Sequence, residues 1–282
     1  MKVGLVLEGG AMRGLFTAGV LDVLMAENLP IDGAVTVSAG ALFGVNLFSK
    51  QSGRVLRYNQ KYLHDKRYMG LHSLLTTGNI VNRDFAFYEL PFTLDPFDQH
   101  TFSQSKADFW VTLTNVETGE AEYVKITDVF AQMEAFRATS AMPLVSKIVE
   151  IGDKKYLDGG IADSIPLQKC LDLGYDKIIV ILTRPLEYRK KPSSTFLFKL
   201  LYRRFPKFIA RWKNRYADYN NTLEKVIELN EKQEIFVIRP SIDLKISRLE
   251  KDLNKIQSMY DLGVADARNA MKALHIYLTD KT

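Results

Sequence analysis

Cysteine is nearly absent from this chain. Cys170 is the only one in 282 residues, which excludes an intramolecular disulfide framework and any Cys-based zinc site. Histidine is also scarce: His64, His72, His100 and His275 are the four present, and none sits in a recognisable motif. Long apolar runs are missing as well, because no stretch approaches the roughly 18 uncharged residues that a membrane-spanning helix needs. Glu8 and Arg13 interrupt the first apolar run, so no signal-peptide core is expected and the protein is expected to be cytoplasmic. Acid is missing from one region altogether. Between Arg189 and Arg215 there are ten Lys or Arg and no Asp or Glu, leaving 28 bases against 33 acids elsewhere. The net charge of +5 therefore belongs to one segment.

What is present has the composition of a globular chain, 46% hydrophobic and 25% charged, which excludes disorder and a coiled-coil rod. The apolar run at 2–8 predicts a buried strand ending in Gly9-Gly10, followed by helical spacing over 15–27. A second buried strand at 34–37 and helical composition over 40–50 complete a βαβ unit with parallel strands. Strands are further predicted at 110–116, 122–126, 177–182 and 234–240, and helices at 130–137, 217–232 and 259–274. Aromatics, Pro91 and Pro96 break the pattern over 51–108, where helices and loops at the sheet edge are expected. With no repeat or linker, the consistent reading is a single α/β domain over 1–282 with helices on both sheet faces. Within it, 189–216 is a basic aromatic segment and 217–282 is mainly helical.

Three short stretches can carry chemistry. LEGGAMRG at 7–14 joins a strand to a helix, where glycine N–H groups and the helix dipole can face an anion. Ala11 in place of a second glycine argues against a dinucleotide loop, and the missing Gly-Lys-Ser/Thr excludes a P-loop. A tight turn without a ligand remains the other reading. TVSAGA at 36–41 puts Ser38 between strand and helix, the setting of a nucleophile elbow and equally of a helix N-cap. YLDGGIADSIP at 156–166 offers Asp158 before Gly159-Gly160, either a base for that serine or a β-turn aspartate. The four histidines read as structural or surface residues.

A glycine loop after the first strand, an elbow serine after the second and a later Asp-Gly-Gly, in that order, resemble the patatin-like phospholipases. The resemblance runs from Lys2 to about Pro166, with weaker echoes in TNVETGE and in ATSAMP at 138–143. It implies a three-layer α/β/α sandwich with a mostly parallel sheet, and hydrolysis of lipid acyl esters by a Ser–Asp dyad without metal or cofactor. Residue by residue, it implies Ser38 as nucleophile and Asp158 as its base. It implies an oxyanion hole from the N–H groups of Gly9, Gly10 and Ala11, with Arg13 holding the loop or the substrate. Two positions depart from the pattern: Ala11 replaces a third glycine, and Thr36 stands where most members have glycine. A β-branched Thr36 is expected to crowd the elbow, and a catalytically weakened lipid-binding protein is the alternative this leaves. A nucleotide-dependent enzyme using the glycine loop is a third reading.

The basic segment also carries Phe196, Phe198, Tyr202, Phe205, Phe208 and Trp212. Bases among aromatics suit an anionic membrane interface, a surface helix packed on the domain, or nucleic acid. Beside a lipid-hydrolase site, contact with the inner membrane face is the favoured expectation and nucleic acid is not expected. Pro192 and Pro206 predict two short helical pieces.

Overall fold

The computed structural model describes residues 1–280. In chain order the elements are β1 (Val3–Leu7), a 3₁₀ turn (Ala11–Gly14), α1 (Leu15–Ala26), β2 (Gly33–Val37), α2 (Ala39–Phe48), α3 (Arg54–Tyr62) and α4 (Leu71–Thr77). A π-helical segment (Phe85–Leu94), α5 (Gln99–Gln104), β3 (Asp108–Asn115), β4 (Ala121–Ile126), α6 (Met133–Thr139), β5 (Val149–Ile151) and β6 (Lys154–Asp158) follow. The chain ends with α7 (Leu167–Asp172), β7 (Lys177–Ile181), α8 (Phe196–Leu201), α9 (Pro206–Glu231), β8 (Phe236–Ile238) and α10 (Leu253–Thr279).

The sheet runs β5-β6-β3-β2-β1-β7-β8, with β4 also paired to β3. Pairing is parallel from β3 through β8 and antiparallel at β4, β5 and β6. Strands β1, β2 and β7 are buried at every residue, as parallel strands covered on both faces must be. Alternate residues feed two cores. Leu5 and Leu7 pack with Leu15, Phe16 and Phe43 on one face, while Val6, Val35 and Val180 pack with Cys170, Leu223 and Val226 on the other. Helices therefore cover both faces and the predicted three-layer sandwich is present. The last helix is tied to the first layer by Tyr260, whose hydroxyl donates to Asp22 at 2.6 Å.

The main strands and helices of the first half stand where the periodicity placed them, within two or three residues. The C-terminal half departs in the lengths of its helices, and α10 runs over Leu253–Thr279 where the spacing predicts 259–274. The basic segment does form two helical pieces, but only α8 is short: Pro206 occupies the first turn of α9, a 26-residue helix that absorbs the one predicted at 217–232. Proline's fixed φ suits that position, where its missing N–H costs nothing. The β5–β6 hairpin and α7 were not read from the sequence, because three- to six-residue elements carry too little periodicity.

Strand β3 sets up the site. Along one edge its residues 108–112 pair in parallel with β2, and residues 113–115 pair antiparallel with β6. Strands β2 and β6 therefore run towards each other along the same neighbour. Their C-terminal ends, Val37 and Asp158, meet at Thr112 and Leu113.

Candidate active site

That head-on meeting brings Ser38 to Asp158 across 120 residues of sequence. The Ser38 hydroxyl donates to Asp158 Oδ2 at 2.9 Å, and both side chains are buried. Asp158 Oδ1 accepts from the Gly160 N–H at 2.8 Å, which fixes the carboxylate plane. Burial raises the Asp158 pKa above the ordinary carboxylate value; the Arg215 guanidinium is the largest opposing influence, followed by the Gly160 N–H and Ser38. Arg215 reaches this position from α9 by donating from Nε to the Gly160 carbonyl at 2.5 Å.

Ser38 is held in an unusual backbone conformation, with φ 54° and ψ −126°. Its N–H donates to Thr139 Oγ1 at 2.8 Å, and that hydroxyl donates to the Thr112 carbonyl at 2.7 Å. Thr139, on the ATSAMP stretch, is thus a positioning residue that sequence reasoning missed. Only that motif echo could have pointed to it. A residue at such φ and ψ costs about 1–3 kcal/mol unless it is glycine, which recovers that cost less about 0.5–1 kcal/mol of backbone entropy. Both Ser38→Gly and Ser38→Ala lack the hydroxyl, so their difference isolates the backbone. Ser38→Gly is expected to be more stable than Ser38→Ala by about 1 kcal/mol in urea titrations; equal midpoints would show that the elbow stores no strain.

Of the glycine loop, the Gly9 N–H donates to the Ser164 carbonyl over 3.5 Å. The N–H groups of Gly10 and Ala11 have no acceptor among the described residues. Gly9 instead provides room, since a Cβ there would stand 3.0 Å from Ser38 Cβ. Ala11 adopts φ 49°, in the left-handed region where glycine would be the least strained residue. Arg13 lies beside the loop with its Nε buried and unpartnered, its pKa lowered to about 10 by burial and then by Arg184, so it keeps its charge.

Thr36 does not crowd the elbow as expected. Its side chain is fully buried, its Oγ1 donates to the Trp110 carbonyl at 2.8 Å, and its methyl lies under α2 where Gly44 leaves space. Thr36→Gly is therefore expected to lower stability by about 1–3 kcal/mol in denaturant titration, from the lost hydrogen bond, methyl packing and backbone entropy. An unchanged midpoint would show that the threonine contributes nothing there.

Ser38 lies on the boundary of two cavities. One is apolar, lined by Leu42, Phe43, Phe87, Leu90, Phe136 and Met142 among others. Its far wall comes from the 51–108 region that the sequence left unreadable, including α3 and the π-helical segment. The other cavity is polar and contains Gly9, Gly10, Ala11, Arg13, Asp158, Lys190 and Arg215. None of the four histidines lines either cavity.

The basic segment divides. Arg211 donates to the Gly119 carbonyl and pairs with Glu120 and Asp218, and Arg189 pairs with Glu224. Lys190 and Arg215 turn into the polar cavity. The outward-facing remainder includes Lys199, Arg203, Arg204 and Lys207 around α8.

Fold and geometry together describe an α/β sandwich with a serine–carboxylate pair at the C-terminal ends of its central strands. The chain belongs to the patatin-like phospholipase family, whose model matches residues 5–171. A second model, a domain of unknown function (DUF6363), matches residues 205–279. The chain is 26% identical to the uncharacterized protein YjjU of Escherichia coli (strain K12), over 99% of this chain and 80% of that one. It is also 25% identical to the lysophospholipase nte1 of Aspergillus niger over 97% of this chain, but spans only 18% of that protein. The crystal structure of VipD from Legionella pneumophila aligns at a TM-score of 0.41 and 12% identity, covering 95% of this chain and 67% of that one. Among the described residues no helix is long and apolar enough to cross a membrane.

Proposed function

We propose that this protein is a serine acyl hydrolase that cleaves fatty-acyl esters of phospholipids or related lipids through a Ser38–Asp158 dyad. The observation that carries the reading is the position of Ser38, bonded to a buried carboxylate at the boundary of an apolar and a polar cavity. An acyl chain fits the first and a polar head the second, which leaves the ester carbonyl over the serine. As Ser38 Oγ bonds to that carbon, Asp158 takes the hydroxyl proton and negative charge develops on the carbonyl oxygen. The free N–H groups of Gly10 and Ala11 form the oxyanion hole, and each such donor is typically worth about 10²–10³ in rate. The tetrahedral species expels the alcohol, which leaves with the proton held by Asp158. Water, deprotonated by the same carboxylate, then frees the fatty acid and restores Ser38. The raised pKa of Asp158 makes it a better base than an exposed aspartate. A weakened, lipid-holding protein would follow from a distorted elbow, and Thr36, packed under α2, supplies no distortion.

The enzyme works in the cytoplasm against an anionic membrane face. Phe196, Leu197, Leu200 and Leu201 are more than half exposed on α8, at 74%, 51%, 62% and 61%, amid outward lysines and arginines. Labelling with a fluorophosphonate probe tests the hydrolase reading, because only an activated serine reacts. Wild type should label and Ser38→Ala should not; an unlabelled wild type would overturn it.

A further inference from the structure

The polar cavity holds more positive charge than an ester reaction requires. Arg13, Arg184, Lys190, Arg215 and Arg248 converge there, against only two carboxylates, Glu8 and Asp158. Glu8 is already engaged: Oε2 accepts from the Thr183 N–H and hydroxyl, and Oε1 accepts from Tyr219. Asp158 is committed to Ser38 and Gly160. None of the five bases forms an ion pair with a carboxylate among the described residues, although Arg189 and Arg211 of the same segment do. The contacts these bases do make leave most of their donors free. Arg215 bonds through Nε alone, Lys190 Nζ reaches Ser164 Oγ at 3.4 Å, and Arg13 Nε is buried without a partner. The crowding is costly. Burial, then Arg215, pushes the Lys190 ammonium down to about 6, so near neutral pH the four arginines carry the standing charge and Lys190 takes up its proton when an anion joins them. Like charges gathered in a partly desolvated pocket destabilise the folded protein unless an anion joins them.

The aromatic residues narrow the class of anion. Tyr188, Tyr219 and Trp212 all border the cavity and would otherwise offer a cage to a quaternary ammonium. Each ring already has one of the protein's own basic side chains over it. Arg184 lies 4.4 Å from the Tyr188 ring centre, Lys190 3.9 Å from Tyr219 and Arg215 5.5 Å from Trp212. A choline group would meet occupied rings and a positive field.

We propose that this cavity binds a phosphate monoester dianion, and that the preferred substrate is a monoacyl glycerol phosphate with an unsubstituted terminal phosphate. The inference rests on the hydrolase reading for its acyl half, and on the cation cluster alone for its phosphate half. With the acyl chain in the apolar cavity, the phosphate lies among Arg184, Lys190 and Arg248, and the ester carbonyl lies at Ser38.

The test compares kcat/KM of the full chain on three monomeric substrates with one acyl chain: monoacyl glycerol 3-phosphate, monoacyl glycerophosphocholine and monoacylglycerol. A short-chain nitrophenyl ester runs in parallel. The wild type should favour the phosphate monoester over the choline ester by at least about tenfold, equivalent to about 1.4 kcal/mol. Arg184→Met and Arg248→Met should each lower the ratio of phosphate-monoester to monoacylglycerol kcat/KM severalfold. Equal wild-type rates on the phosphate and choline esters would overturn the proposal without any variant having to fold. A preference that survives both substitutions would overturn it too. Calorimetry of Ser38→Ala with glycerol 3-phosphate and with inorganic phosphate separates the sources. Equal affinity for both, with no preference among the acyl esters, would mean a free-phosphate site and overturn the headgroup assignment. If the wild type cleaves no ester, the nitrophenyl one included, yet binds glycerol 3-phosphate in an Arg184- and Arg248-dependent way, the hydrolase reading fails while the phosphate site stands.

Discussion

Ser38→Ala and Asp158→Asn are each expected to lower kcat/KM on a soluble acyl ester by at least about 10⁴, because removing one member of a nucleophile–base unit disables the whole. Alanine is smaller than serine and asparagine has the shape of aspartate, so neither substitution requires the backbone to move. Circular dichroism should therefore be unchanged while turnover disappears. The combined variant should be scarcely worse than either alone; additive losses would mean that the two residues act in separate steps. In the proposed reaction the same pair sets the pH dependence. Asp158 works as a base only when ionised, and its folded pKa is raised by burial, so activity should fall with acid above the ordinary carboxylate range. Arg215 is the strongest influence keeping that pKa down, so Arg215→Met should move the acid limb of kcat/KM to still higher pH. An acid limb at the ordinary aspartate value in both proteins would remove Asp158 from the role of base.

The separate pieces of the candidate site were legible in the sequence because each is local, while the pairing of Ser38 with Asp158 across 120 residues was implied only by the family resemblance. A buried strand, a glycine loop or a serine at a strand-to-helix turn is written in five to eight adjacent residues, and Ser38, Asp158 and the 9–11 loop stand together as the resemblance implied. What could not be read is set by register and distance. Thr139 matters because it stacks between Ser38 and Thr112, a contact spanning 101 residues that no spacing rule encodes. The wall of the apolar cavity lies in 51–108, where a π-helical turn containing Pro91 gives no clean helical period. Charge shows the same limit. A run of ten bases reads as one patch, yet Lys207, Arg211 and Arg215, four apart along one side of α9, sit at successive heights, so that Arg215 reaches the site, Arg211 pairs with Glu120 and Lys207 stays outside.

That division sharpens what the proposed membrane surface should do. Helix α8 stands on a buried aromatic base in which Phe198 stacks on Trp212 at 3.9 Å and packs against Phe208 and Tyr202. Trp212 also borders the polar cavity, and the Tyr202 hydroxyl accepts from the Leu144 N–H, so the exposed helix adjoins the mouth of the site. Its outward side carries Phe196, Leu197, Leu200 and Leu201, and an apolar side chain fully taken from water contributes about 1.5–3 kcal/mol. Lys199, Arg203, Arg204 and Lys207 surround them, and each basic residue near an anionic bilayer adds roughly 1 kcal/mol. Replacing those four with glutamine should therefore weaken binding to anionic vesicles by about 10²–10³, with neutral vesicles little affected. Arg211 is left out because it holds α9 to the β3–β4 turn. Phe196→Asp with Leu200→Asp should reduce binding to both kinds of vesicle, since it removes the apolar contribution. Salt should mimic the glutamine variant and not the aspartate one, because screening acts only on charge. Hydrolysis of vesicle lipid should fall in step with binding, while the soluble ester is turned over as before. If the glutamine variant still sediments with anionic vesicles at moderate salt, these bases serve solubility and the membrane contact lies elsewhere.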